Sequence, residues 1–136
     1  MSSPREILTT WLAATNQRDP YALAGLYHEN AESHHISLGT VTRGRAALQQ
    51  SFITFFRAFP DTYAHPENIL ESGPWGIVEW SGGGTFTGQL GNLQPTGRSF
   101  TLRGSAFLRI NEGKITLQRC YYDRASWCSQ LGITAK

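Results

Sequence analysis

Charge is scarce in this sequence. Asp, Glu, Lys and Arg make up only 16% of the residues, against about a quarter in an ordinary domain. The 12 basic and 10 acidic residues leave a formal net charge of +2, and the basic ones are scattered without a run. A protein that follows nucleic-acid phosphates needs a clustered basic surface, so no nucleic-acid partner is expected. Long apolar runs are missing too. No stretch approaches the roughly 20 residues that a membrane-spanning helix needs, and the opening Met-Ser-Ser-Pro-Arg-Glu holds no apolar signal core. The two cysteines, Cys120 and Cys128, form neither a CxxC pair nor a disulfide framework. A reduced, cytoplasmic protein with no membrane partner is the expectation. The histidines lack HxH or HxxxH spacing, so no metal is expected. Gly82-Gly83-Gly84 is followed by no Lys-Ser/Thr, which excludes a phosphate loop.

What the chain does have is rings. Aromatic residues reach 12% and hydrophobic residues 40% of 136 positions, enough for one core and one domain spanning residues 1–136. Ser3-Pro4-Arg5-Glu6 carries a capping serine, a proline at the first helical position and a glutamate three residues after the cap. Ile7, Leu8, Trp11, Leu12 and Thr15 then share one helical face. Asp19-Pro20 starts a second, short helix whose apolar residues are Tyr21, Leu23, Leu26 and Tyr27. Ala31 to Leu38 reads as a polar strand. A longer helix runs from about Arg43 to Phe59, with Leu48, Phe52, Phe55, Phe56 and Phe59 at helical spacing.

From Thr62 the pattern turns to β. Strands are expected at Tyr63–Glu71, disturbed by Pro66, and at Trp75–Ser81, with Gly82-Gly83-Gly84 as a tight turn or bulge before Thr85. A loop over 89–97 leads to long strands at Arg98–Ile110 and Lys114–Tyr122, and Arg124 to Leu131 closes as a helical turn or two. Helices first and consecutive strands afterwards define an α+β domain, with its helices on one face of a mostly antiparallel sheet.

Four segments then stand in register: Ala58-Phe59-Pro60-Asp61, Gly84-Thr85-Phe86-Thr87-Gly88, Pro95-Thr96-Gly97-Arg98, and Glu112-Gly113-Lys114-Ile115 leading to Tyr121-Tyr122-Asp123. Over nearly the whole chain they resemble the SnoaL-like polyketide cyclase branch of the nuclear transport factor 2-like superfamily. The resemblance implies a cone-like, strongly curved sheet closed by three N-terminal helices, and a homodimer through the outer sheet face. It also implies a ring closure by intramolecular aldol chemistry with no cofactor. Asp123 stands where such cyclases carry an acid/base aspartate. A carboxylate in an apolar chamber has its pKa raised towards working pH, which suits it to that task. Locally, Asp123 also precedes Arg124-Ala125-Ser126-Trp127, where aspartate is a good helix N-cap.

Strand alternation puts Ala31, Ser33 and His35 on one face, and Glu32, His34 and Ile36 on the other. Ketosteroid isomerases, distant members of the superfamily, carry a base on this strand, and register places His35 there. Histidine titrates near neutral pH and suits a base or a partner for a substrate oxygen. His35 is therefore the second catalytic candidate, with His34 as a substrate contact. Trp11, Tyr27, Phe56, Trp80, Phe86 and Tyr121 are the candidate walls of the chamber.

The chain departs from its relatives in being less polar. Trp11 stands where ketosteroid isomerases place a phenol. Ala106 and Phe86 stand where cyclases often place aspartate and histidine. Arg103-Gly104-Ser105 lacks the aspartate of an epoxide-hydrolase Arg-x-Asp. The expected function is a cofactor-independent cyclase, isomerase or lyase acting on a small hydrophobic carbonyl compound. The alternatives are a binding or association domain that kept the fold without chemistry, and a dehydratase-type enzyme using the same two residues.

Overall fold

The computed structural model describes residues 2–134. Helix α1 spans Pro4–Asn16, and its start is the capping box read from the sequence: Ser3 Oγ accepts from the Glu6 amide while the Glu6 carboxylate accepts from the Ser3 amide. Asp19 caps the short α2, Pro20–Ala24, by accepting from the amides of Tyr21 and Ala22. Strand β1 (Tyr27–His35) turns through residues 36–39 into β2 (Thr40–Arg43), and α3 follows as Arg45–Ala58. Four long strands come next: β3 Tyr63–Ser72, β4 Trp75–Thr85, β5 Ser99–Asn111 and β6 Lys114–Tyr122. Helix α4, Arg124–Leu131, ends at Gly132 in the left-handed conformation.

The strands form one six-stranded sheet in the order β2-β1-β6-β5-β4-β3. Every pairing is antiparallel except β1 with β6, where Glu32 to His35 run alongside Leu117 to Cys120. The sheet is open and mixed, with α1 and α3 on its inner face. Ile7, Leu8, Trp11 and Leu12 of α1 and Leu48 and Phe56 of α3 share one core with Ala31, Val78, Ala106, Leu108 and Cys120 of the sheet. Each large side chain removed from water here contributes about 1.5–3 kcal/mol. A second core lies under α4, where Phe59 stacks on Phe86 at 5.3 Å and meets Phe100 edge-on at 5.4 Å.

Three expectations are corrected. Tyr27 belongs to β1 rather than to α2, because burial of its ring beneath Phe52 fixes it in the sheet. The expected single strand over Ala31 to Leu38 ends at His35, and the chain folds back into β2. Gly82-Gly83-Gly84 makes no turn: it lies near the end of one continuous β4, with Gly82 and Gly83 paired on both sides and Gly84 with β5. These glycines are needed for closeness. A Cβ on Gly82 would lie 2.4 Å from the Tyr63 carbonyl oxygen, and one on Gly83 2.5 Å from that of Phe100. The register slip near Pro66, expected from the missing amide, lies between Pro66 and Asn68.

Candidate active site

The polar side chains of the inner face gather on the parallel β1–β6 pair. The neighbouring inner positions of β4 and β5 are apolar: Val78, Ala106 and Leu108 are fully buried. On β6, Gln118, Cys120 and Tyr122 alternate inward, and on β1 Ser33 and His35 do so beside them. At the closed end a hydrogen-bond chain crosses the core. Trp11 Nε1 donates to Tyr27 Oη at 2.8 Å, Tyr27 Oη donates to Gln118 Oε1, and Gln118 Nε2 donates to Cys120 Sγ at 2.9 Å. Burial pushes the Tyr27 hydroxyl and the Cys120 thiol up, the latter to about 11, so both stay neutral. Tyr27→Phe would strand the Trp11 N–H and the Gln118 carbonyl without partners in the core. A stability loss of about 1–3 kcal/mol is expected, read as a lower denaturation midpoint at unchanged slope.

At the other end lies His35. It is half-buried, and desolvation lowers its pKa below the ordinary 6.5. Its Nδ1 lies 3.4 Å from the hydroxyl of Tyr122, and the two rings meet edge-on with centroids 6.0 Å apart. Trp80 completes this row from β4. A Cβ on Gly104 would stand 2.5 Å from its Cζ2, so the indole lies over Gly104, whose register partner on β6 is Tyr122. The inner positions named here thus offer one imidazole, its pKa lowered by burial, among rings and neutral donors.

Asp123 is placed differently from the expectation. It is exposed, and its Oδ1 accepts from the Ser126 amide at 3.0 Å as the N-cap of α4. The strand ends at Tyr122, so the carboxylate leaves the sheet rather than entering an apolar chamber. Desolvation falls on His35 instead. The same boundary explains Tyr121. Counting faces back from Asp123 puts Tyr121 inside, but Tyr121 lies on the outer face, 40% exposed and against Phe107 at 5.7 Å. His34 is also on the outer face, bonded to Glu32 at 3.1 Å.

Trp11, Tyr27, Phe56 and Phe86 are buried parts of the two cores rather than walls of an open chamber. Trp80 alone of the expected walls stays half-buried near His35. The sequence reading takes neither Gln118 nor Tyr122, the inner-face neighbours of Cys120, as a site residue. Counting from Cys120 finds both, since they share its parity. Two hollows, of about 220 and 490 Å³, lie on the outer side of the sheet around Arg103. No group of three or more His, Cys, Asp or Glu among the described residues could hold a metal ion. No helix among them is long and apolar enough to cross a membrane.

The chain belongs to the SnoaL-like polyketide cyclase family, whose family model matches residues 5–131. No curated protein sequence matches it. Among solved structures, a SnoaL-like polyketide cyclase from Shewanella denitrificans superposes with a TM-score of 0.83 at 14% identity, covering 95% of this chain and 96% of that one. A protein of ketosteroid isomerase-like fold from Catenulispora acidiphila, in complex with trimethylamine, gives 0.81 at 21% identity over 98% and 96%. IdmH from Streptomyces antibioticus, provisionally a polyketide cyclase, gives 0.79 at 23% identity over 97% and 100%. At these identities the likeness establishes the fold. The family match supports a function of cyclase or isomerase type.

Proposed function

We propose that this protein catalyses a cofactor-independent ring closure or isomerisation of a hydrophobic, polyketide-like carbonyl compound, with His35 as the base. The observation that carries this reading is the placing of His35: a desolvated imidazole on the inner face, between Tyr122 and the parallel seam. A lowered pKa keeps the ring neutral and ready to accept a proton. Carbon acidity between two carbonyls makes such a proton removable by an imidazole. The C–H electron pair passes into an enolate, and the enolate carbon attacks a second carbonyl carbon of the same molecule. The new alkoxide takes the proton back from the imidazolium, so the step is redox-neutral. Holding both ends of the substrate against one apolar face supplies the entropic part of the rate.

The test uses linear 1,3-dicarbonyl esters, with ring closure followed by absorbance. Activity should persist below pH 6.5 and fall only as pH drops through the depressed His35 midpoint, because the protonated ring cannot act as base. Asp123→Asn should keep turnover within about threefold, since asparagine caps a helix as well as aspartate. Loss of activity in Asp123→Asn with a well-folded protein would return the acid/base role to the carboxylate. A binding domain without chemistry would show saturable ligand binding and no turnover at any pH.

The same reading includes a homodimer through the outer sheet face. Trp75, Phe107 and Tyr121 form a ring ladder there, with Arg119 over the Trp75 ring at 5.7 Å and Leu70 60% exposed. Light scattering should give twice the 15.1 kDa of one chain, and Phe107→Asp should halve that mass. A single-chain mass for the unaltered protein would remove the dimer.

A further inference from the structure

Five tyrosines are present, and four are accounted for away from His35. Tyr21 and Tyr63 are 64% and 47% exposed, and Tyr121 faces outward. Tyr27 has its proton committed. The indole of Trp11 can only donate, so Tyr27 Oη must accept from it and pass its own hydrogen to Gln118 Oε1. Tyr122 remains. Its hydroxyl lies beside His35 Nδ1, and the Ser37 side chain also acts on it, against the burial that raises its pKa.

The other nitrogen of His35 completes the pattern. Nε2 has no hydrogen-bond partner among the described residues, yet no buried side-chain nitrogen or oxygen among them lacks one. Nε2 therefore keeps some exposure and can meet a ligand. A phenol oxygen carries two lone pairs and one hydrogen. With the His35 Nδ1–H on one lone pair of the phenol oxygen, the phenolic hydrogen can turn to a substrate oxygen while the Nε2 lone pair is free.

We propose that Tyr122 is a catalytic residue, its O–H holding the oxygen of the reacting carbonyl while His35 Nε2 takes the carbon-bound proton. This rests on the reading of His35 as base. As the C–H pair moves into the enolate, the carbonyl π pair moves onto oxygen, and the Tyr122 hydrogen bond strengthens on that developing charge. A donor on the phenol oxygen polarises its O–H and makes it a stronger donor. The 3.4 Å separation from Nδ1 is long for such a bond and leaves the tyrosine room to settle onto substrate. The groups facing His35 are Cys120 and Tyr122 from β6 and its register partner Thr40 from β2; Arg124 acts on Tyr122, and Glu32 is turned to the outer face. None of those facing His35 is a carboxylate that would compete for its Nδ1 proton.

The position of that proton is directly measurable. Nitrogen-15 NMR of the full chain should show neutral His35 protonated on Nδ1 with a bare Nε2. In Tyr122→Phe it should revert to the Nε2-protonated form that imidazole favours in water. An Nε2 proton on His35 in the unaltered protein would overturn the proposal. Turnover of the same 1,3-dicarbonyl esters separates the two layers. Tyr122→Phe should lower kcat about 10²-fold with little change in KM, the size of one oxyanion donor. Full activity in Tyr122→Phe beside an inactive His35→Gln would remove Tyr122 and leave the base in place. Full activity in His35→Gln would remove the base reading itself.

Discussion

His35→Gln is expected to lower turnover by about 10²–10⁴-fold, the range that one positioned general base supplies. Glutamine fills similar space and keeps a hydrogen-bonding end beside Tyr122, but it cannot take a proton at any useful pH. The loss should therefore fall in kcat, with KM nearly unchanged. Stability should move the other way. A histidine kept neutral by burial has a folded pKa below its unfolded value of 6.5, so the unfolded chain binds more protons as pH falls from that value. Folding stability is then lost on acidification, beginning near pH 6.5 and continuing down to the folded midpoint. His35→Gln should flatten this part of the stability profile. Calorimetry and initial rates on one preparation read both effects, and an unchanged rate with a flattened profile would mark His35 as structural.

Gly82→Ala is expected to cost about 3 kcal/mol or more, well above an ordinary surface change. The added methyl would stand 2.4 Å from the Tyr63 carbonyl oxygen. That oxygen belongs to the backbone of a paired strand, so it cannot swing aside as a side chain would. Relief requires β3 and β4 to separate next to Thr62, whose hydroxyl donates to the Gly83 carbonyl at 2.9 Å in a buried position. A domain of this kind holds only roughly 5–15 kcal/mol in total. Gly39→Ala is the control. Its φ of +69° carries the usual strain for a side chain, but nothing lies within 4 Å, so about 1 kcal/mol is expected. Denaturant midpoints for the pair decide the matter, and equal losses would show that close strand approach is not the cause.

Much of the frame was legible because local chemistry specifies it. Ser3, Glu6 and Asp19 mark helix starts through hydrogen bonds within a few residues, and β6 and α4 begin and end where the sequence reading places them. The errors arose where long-range contact decides. Tyr27 looks like the tail of a helix until Phe52 and Gln118 are brought against it from elsewhere in the chain. Three consecutive glycines suggest a turn by composition, and only the neighbouring strands reveal that they keep two carbonyls from being struck. Phe86 reads as a chamber wall by resemblance, but stacking on Phe59 seals it in a core. Asp123 was ambiguous from the start, and the end of β6 one residue earlier makes it a cap. Strand parity separates His34 from His35, and the resemblance to ketosteroid isomerases, not parity, singles out His35; the structure puts His35 on the inner face beside Tyr122.

The parallel seam between β1 and β6 sets the order in which this protein can be made. No hairpin can join parallel neighbours, and His35 and Tyr122 are 87 residues apart. The first strand, paired locally only with β2, must therefore wait for β6 before it gains its second partner. Synthesis runs at about 5–20 residues per second, so the inner edge of β1 stands unpaired for several seconds of each chain's production. Local hairpins such as β3–β4 can close meanwhile, while the distant pairing adds the slow, entropically costly step. The contact between His35 and Tyr122 does not exist in any N-terminal fragment lacking β6, and it forms only with the final cooperative closure of the sheet.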